Sequence, residues 1–421
     1  MLSGCGKDPI VFEFLAEEAP AGKTMVLPKE VSFNEHIQPI LSEYCYQCHG
    51  PDAEAREPEK EPLRLDIEED TFKVRDFGAP VIVKGKPEES VLMELIRSAD
   101  KDEVMPPPES HKTMGVREIA LLERWIAQGA EYEGHWSYEP VVKASPLAND
   151  WSDKPIDGFV FEKLAEAGLK PNPSEDTRRF HRKLSFDLTG LPPEPADTDA
   201  FVAAYEKDAD AAVSAEADKM LSTTANAEHF ARHWLDAVRY ADTHGIHIDN
   251  YRAIWPYRDW VISAFSENMP WDKFTTEQIA GDLLPEPTLD QKVATGFLRC
   301  LATTGEGGAI PEEYDAIYAT DRVDTMGAIW LGLTASCASC HDHKFDPFST
   351  KEFYQLTAFF RNNTMSALDR NNANHPPSIF AALPEDRDAL VAIQEKIAGV
   401  DKRIAERKIA AQGDYEKWLA G

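Results

Sequence analysis

Cys45-Tyr46-Gln47-Cys48-His49 and Cys337-Ala338-Ser339-Cys340-His341 are two copies of one reactive arrangement, set far apart in the chain. Two thiols separated by two residues and followed at once by an imidazole form the attachment pattern of c-type haem. Each thiol can form a thioether to one porphyrin vinyl group, and the adjacent histidine then reaches the iron. The chain has six cysteines, and four of them fall in these motifs. The expectation is two covalently bound haem c groups, held by Cys45, Cys48, Cys337 and Cys340, with His49 and His341 as iron ligands. The same cysteines could instead form a split zinc site or two disulfides. Neither explains a histidine after each second cysteine, and the halves lie too far apart for a zinc ribbon.

The distal ligands are read separately. Met105 precedes Pro106, Pro107 and Pro108, and consecutive prolines hold a chain extended and cannot continue a helix. A thioether presented from such a loop suits the sixth position of the first iron, since Met opposite His is a common axial pair in cytochromes c. Water, His111, Met93 and Met114 are the weaker rivals, Met93 being expected in the core. No Met-Pro loop follows Cys337. The histidines at 229, 233, 244 and 247 are the candidates for the second iron, and His233, on a helix face with His229, is chosen. His244, His247, Asp249, Asp342, His343 and Asp346 could alternatively furnish a metal site of His and carboxylate type. Arg232, Arg239, Arg258 and Lys344 are natural partners for haem propionates. Cys300, in an apolar stretch, reads as a buried residue.

Helices must carry these groups. Phe33, Ile37, Ile40, Leu41 and Tyr44 follow one helix face and lead directly to Cys45. A loop follows the motif, then helices over 88–97 and 116–128, the latter stopped by Gly129. Helical patterning continues through 159–167, 178–188, 201–205, 229–240, 257–265, 276–284 and 312–333, with Thr275 and Gln278 as a capping box. The last of these helices runs almost directly into Cys337. Ile393, Ile397, Val400 and Ile404 take heptad-like spacing in a charged tail. The expected fold is mainly α: a class I-like cytochrome c domain, a larger all-α haem-c domain and a C-terminal amphipathic helix. The expected boundaries are 1–30 for an N-terminal segment, 31–142, 150–365, and 384–421 for the tail.

Phe33-Asn34 through Asp52, Arg64-Leu65-Asp66, Met105-Pro106-Pro107 and Trp125-Ile126-Ala127-Gln128-Gly129-Ala130 closely resemble the planctomycete-type cytochrome c domain. Arg232-His233-Trp234-Leu235-Asp236, Tyr257-Arg258-Asp259-Trp260, Gln278-Ile279-Ala280-Gly281-Asp282-Leu283-Leu284-Pro285 and Cys340-His341-Asp342-His343-Lys344-Phe345-Asp346-Pro347 resemble the uncharacterised haem-bearing domain that follows it in large planctomycete surface proteins. The resemblance covers most of residues 31–365. It implies a cytochrome without specifying a reaction, and it implies that the tail helix leads to a further C-terminal domain, so the chain is expected to be part of a longer architecture or a truncated member.

Composition limits the role. With 44 basic and 74 acidic residues, a formal charge of −30 repels phosphate backbones and argues against nucleic acid. No apolar run approaches the length needed to span a bilayer. Haem is attached to such motifs outside the bacterial cytoplasm, so a periplasmic or cell-surface location is expected. Leu2-Ser3-Gly4-Cys5 resembles the end of a lipoprotein signal, with a possible lipid anchor on Cys5, although the charged and apolar regions that normally precede it are absent. The expected function is electron transfer between redox partner proteins by a di-haem cytochrome. The alternative is an oxidoreductase, peroxidase-like or substrate-oxidising, with the second haem as reaction centre.

Overall fold

The computed structural model describes residues 10–11, 26–76, 78–146 and 148–420. Cys5 lies outside them. The chain is mainly helical; among the described residues the strands are Ile10–Val11 and Val26–Leu27, paired antiparallel. Internal contacts divide it into two units. Unit 1 takes the described residues up to Pro173 together with Ala319–Asn362; unit 2 takes Ser174–Tyr318 and the described residues from Asn363 on. The segment carrying the second motif thus belongs with the one carrying the first. No helix among the described residues is long and apolar enough to cross a membrane.

Unit 1 begins with a π-helical turn, Phe33–Ile37, capped by Ser32, which passes into α1 (Gln38–Tyr44). The sequence pattern predicts one continuous helix here. Pro39 supplies no N–H, and the helix accordingly restarts around it with Pro in the first turn. Next come α2 (Tyr46–His49), α3 (Glu68–Thr71), α4 (Val91–Arg97), α5 (Val116–Ala127) and α6 (Pro155–Glu166). The predicted apolar faces meet in one core: Phe33, Ile37 and Leu41 of the first helix, Leu92 and Ile96 of α4, and Leu122, Trp125 and Ile126 of α5 are all buried. Trp125 and Tyr132 bracket Phe33, with ring centroids 5.8 and 4.3 Å away. The Trp125 indole donates to the Glu131 carbonyl (3.0 Å) and the Tyr132 hydroxyl to the Leu65 carbonyl (2.9 Å), so both large rings bury their polar tips satisfied.

In unit 2, α7 (Thr177–Thr189), α8 (Pro195–Tyr205), α9 (Ala209–Leu221) and α10 (Thr224–Ala237) are followed by α11 (Trp255–Ser266), α12 (Trp271–Ala280) and α13 (Leu289–Ala294). α10 buries Ala227, Ala231 and Trp234 on one face, and α11 buries Tyr257, Trp260, Val261 and Ala264. The small alanines let the two helices approach, and Trp234 stacks edge-on against Phe274 at 4.8 Å. The capping box expected from Thr275 and Gln278 is not formed. α12 starts earlier, at Trp271 after Pro270, and Gln278 is fully buried, its Oε1 accepting from the Trp234 indole (2.9 Å) and the Tyr257 hydroxyl (2.6 Å).

α14 (Pro311–Met326) ends in a π-helical turn, Gly327–Leu331. The expected unbroken run to residue 333 stops because Gly332 takes φ +66, a left-handed C-terminal stop suited to glycine. A 3₁₀ turn, Ala335–Ser339, then carries Cys337, and α15 (Thr350–Arg361) closes the segment with a capping box between Ser349 and Glu352. In unit 2, α16 (Arg387–Ala420) buries no residue. Ile393, Ile397, Val400 and Ile404 are exposed along it.

Candidate haem-attachment sites

At the first motif, Cys45 lies between α1 and α2, its amide bonded to the Leu41 carbonyl (2.8 Å), so α1 delivers it directly. The Cys48 and His49 amides both point back to the Cys45 carbonyl (3.1 and 2.8 Å), which winds the motif into a single turn. The loop after it folds back: the Glu57 amide donates to the Cys48 carbonyl and the Leu65 amide to the His49 carbonyl (both 2.9 Å). His49 Nδ1 lies 3.0 Å from the Glu57 carbonyl. A carbonyl only accepts, so Nδ1 carries the proton and Nε2 keeps its lone pair for a metal. Burial holds the His49 imidazole below its ordinary value, partly offset by that hydrogen bond, which favours the neutral, ligating form. Burial also pushes the Cys45 thiol up to about 12, with neighbouring Cys48 adding to the rise.

Met105 stands where the sequence places it, in the proline loop. Its amide is anchored on the Leu95 carbonyl at the end of α4 (3.1 Å), and its side chain is 37% exposed. Met93 and Met114 are buried in the core of the unit. His111 sits exposed in a left-handed conformation.

The second motif repeats the histidine arrangement with a different partner: His341 Nδ1 lies 2.7 Å from the Asp342 carbonyl, so Nε2 is again left free. Ala335 and Ala338, one 3₁₀ turn apart, are buried, while Cys337 and Cys340 are exposed together on another face. Both sulfurs therefore address one side of the turn, as a single porphyrin requires. The Tyr354 hydroxyl of α15 donates to the Ser339 carbonyl (2.9 Å) and fixes the turn. His233 lies on the exposed side of α10, its ring 5.9 Å from that of His229. It belongs to unit 2, whereas His341 belongs to unit 1.

All five cysteines among the described residues are free of disulfides. No group of three or more His, Cys, Asp or Glu among those residues is arranged to hold a metal ion. His244 is instead a buried structural residue of unit 2, with Nδ1 2.7 Å from the Thr303 hydroxyl, which in turn donates to Asp369 (2.8 Å), and Nε2 3.0 Å from the Asn372 carbonyl. Cys300 is buried as expected, and burial pushes its thiol up to about 12. Arg258 is committed to Asp259 (2.8 Å).

Sequence reading missed His135. Its Nε2 donates to Asp346 Oδ1 (2.9 Å), and Asp346 Oδ2 lies 3.1 Å from His343 Nδ1. This carboxylate ties the loop after the second motif to the segment after α5. Residues so distant in sequence leave no local signal of their pairing.

A helical chain with paired thiols and a following imidazole free at Nε2 is the framework of a c-type cytochrome. Residues 45–109 match the family model described as Planctomycete cytochrome C (PSCyt1), and this region implies covalently bound haem c. Residues 155–365, half of the chain, match the model described as protein of unknown function (DUF1549; PSCyt2), and the chain belongs to that family. Comparison with curated proteins and with solved structures gave no match.

Proposed function

We propose that the chain is an extracytoplasmic di-haem c-type cytochrome that passes electrons between redox partner proteins, with Cys5 as a possible lipid anchor. The first haem would be held by Cys45 and Cys48, with His49 and Met105 on the iron. The second would be held by Cys337 and Cys340, with His341 as its proximal ligand. A haem c supplies a one-electron iron couple whose potential is set by its axial ligands and its surroundings. The protein's own residues do the rest. The carbonyls of Glu57 and Asp342 fix the histidine tautomers, as hydrogen bonds to the second ring nitrogen do at metal sites. The proline loop, pinned to α4 through the Met105 amide, presents the thioether from a fixed backbone.

The observation that carries the proposal is the repetition: two Cys-x-x-Cys-His turns in one contact unit, each with Nδ1 turned to a backbone carbonyl. The test is expression in a host that matures c-type cytochromes, followed by intact mass. The expected product carries two haems, a Cys337→Ala/Cys340→Ala variant one, and a Cys45→Ala/Cys48→Ala variant the other. A wild-type mass with one haem would confine the cytochrome to the first motif. Two low-spin six-coordinate spectra fit electron transfer, and a high-spin, peroxide-reactive second haem would move the function to the oxidoreductase alternative.

A further inference from the structure

Unit 1 carries a pocket of about 330 Å³, open to solvent, beside the first motif, walled on one side by the loop that follows the second. Tyr46, the residue between Cys45 and Gln47, is 97% buried by its 3% exposure and faces this pocket. Its hydroxyl has no hydrogen-bond partner among the described residues, unlike that of Tyr132 in the same wall, which meets Thr71 and the Leu65 carbonyl. The ring is buried while the hydroxyl keeps accessible surface, and the residue lines the pocket, where an acceptor on a ligand can reach it. Burial pushes the Tyr46 hydroxyl well above its usual range, so it keeps its proton to donate.

The charge of the lining is one-sided. Asp66, Glu133, Asp342, Asp346 and Glu352 face Arg64 and Lys344. Arg64 is taken up by Asp66 (2.7 Å). Glu133 is held by the Ser32 hydroxyl and the Asn34 amide, Glu352 by Ser349, and Asp342 Oδ1 by the Thr350 amide, all through neutral donors that leave the negative charge in place. Lys344 forms no ion pair among the described residues. Its ammonium lies 5.1 Å over the Phe345 ring, and desolvation, with Lys112 adding, holds it below the usual lysine range. Phe348, and Phe345 on the face that Lys344 does not cover, supply aromatic surface, and carboxylates with aromatic faces are the surroundings in which organic cations bind.

We propose that this pocket is a binding site for a small organic cation, one carrying a protonated amine together with a hydrogen-bond acceptor. The amine meets the carboxylate side, with Asp342 offering its second oxygen, and the acceptor takes the proton of the Tyr46 hydroxyl. The site is built from side chains that do not hold haem, and its occupancy does not require the second haem.

Calorimetric titration of the matured, haem-bearing full chain with ethanolamine at neutral pH, with glycerol and acetate as the uncharged and anionic comparisons, tests it. Ethanolamine is expected to bind one to one, with affinity falling as salt is raised. Tyr46→Phe, which keeps the ring and the core, is expected to weaken binding about tenfold, the value of one buried hydrogen bond, with the haem spectrum and melting temperature unchanged. Asp342→Asn, at an exposed residue, is expected to weaken it and flatten the salt dependence. Absence of ethanolamine binding, equal binding of glycerol, or unchanged affinity in Tyr46→Phe would each overturn the proposal. None of these results bears on the haem count read by mass.

Discussion

His49 and His341 reach the same state by different local routes, one through a carbonyl eight residues on and the other through its immediate neighbour. The tautomer of each histidine is set within a few residues of its motif, so the part of the candidate site that the chain fixes locally was legible in the sequence. Met105 was singled out by its prolines, and its role on the iron is the part of the proposal that a variant tests. In Met105→Ala the first haem is expected to lose the weak sulfur-to-iron absorption band, and its potential to fall, since Met opposite His raises it; a band that survives rules out Met105 as the ligand. What sequence could not show is a residue defined by distant contacts, such as His375. It is buried with Nε2 2.6 Å from the Ser366 carbonyl. Burial holds its imidazole below the ordinary value of 6.5, the Ser366 hydrogen bond opposing and Arg299 adding to the fall. Because the folded state then takes up a proton less readily than the unfolded chain, its contribution is complete above about pH 6.5 and is lost as pH falls below that value. Melting temperatures between pH 7.5 and 5 should decline, and the decline should be shallower in His375→Gln, by at most about 1.4 kcal/mol per pH unit for one proton. Identical slopes in the two proteins would assign the acid sensitivity elsewhere.

At the scale of elements, the turns that carry the motifs depend on close packing and caps. A Cβ on Gly50 would stand 2.3 Å from the Tyr46 carbonyl, a backbone atom that cannot swing aside, so Gly50→Ala is expected to disrupt the end of α2 and lower both stability and the yield of first-site haem. Recovery of full haem content with an unchanged melting temperature would show that the turn can open. Ser349 caps α15 through the Glu352 amide (3.2 Å), and Glu352 answers through the Ser349 amide (2.8 Å). Ser349→Ala should cost about 0.5–2 kcal/mol, measured by denaturant midpoint. The elements whose apolar face the sequence marked are largely as read: α1 buries Ile40 and Leu41, α4 Leu92 and Ile96, and α5 Leu122, Trp125 and Ile126, while Val116 at the start of α5 is exposed. α9 was missed because it is rich in alanine and acidic residues and buries only Ala212 and Met220. High intrinsic propensity forms it without an amphipathic stripe to announce it. The start of α12 was misplaced because Gln278 was read as a capping residue, whereas it serves as a buried acceptor for two aromatic side chains. A local rule was outweighed by a tertiary one.

For the whole molecule, a formal charge of −30 on 421 residues sets a field that acts before any contact forms. Such a field concentrates cations at the surface and speeds the approach of oppositely charged partners by about 10- to 1,000-fold at low salt. If electrons enter through the acidic surface, the reduction rate by a cationic reagent should fall steeply as ionic strength rises from about 0.01 to 0.5 M, while the rate with an anionic reagent should rise, the Debye length shrinking from about 30 Å to a few ångströms over that span. The first motif has a local exception. Lys112 lies 3.2 Å from Glu43 and acts on both the Cys45 thiol and Lys344, and Lys344 has no carboxylate partner among the described residues. A donor that enters at Lys112 and Lys344 themselves, and not across the acidic pocket that Lys344 also lines, would meet positive charge first, and the anionic reagent would then be the faster of the two at low salt. Stopped-flow reduction with the two reagents, repeated in Lys344→Gln, separates the routes. Entry through the acidic surface leaves both salt slopes unchanged by the substitution, and entry beside Cys45 removes the anionic advantage. Rates independent of salt with both reagents would show that neither charged surface guides the donor.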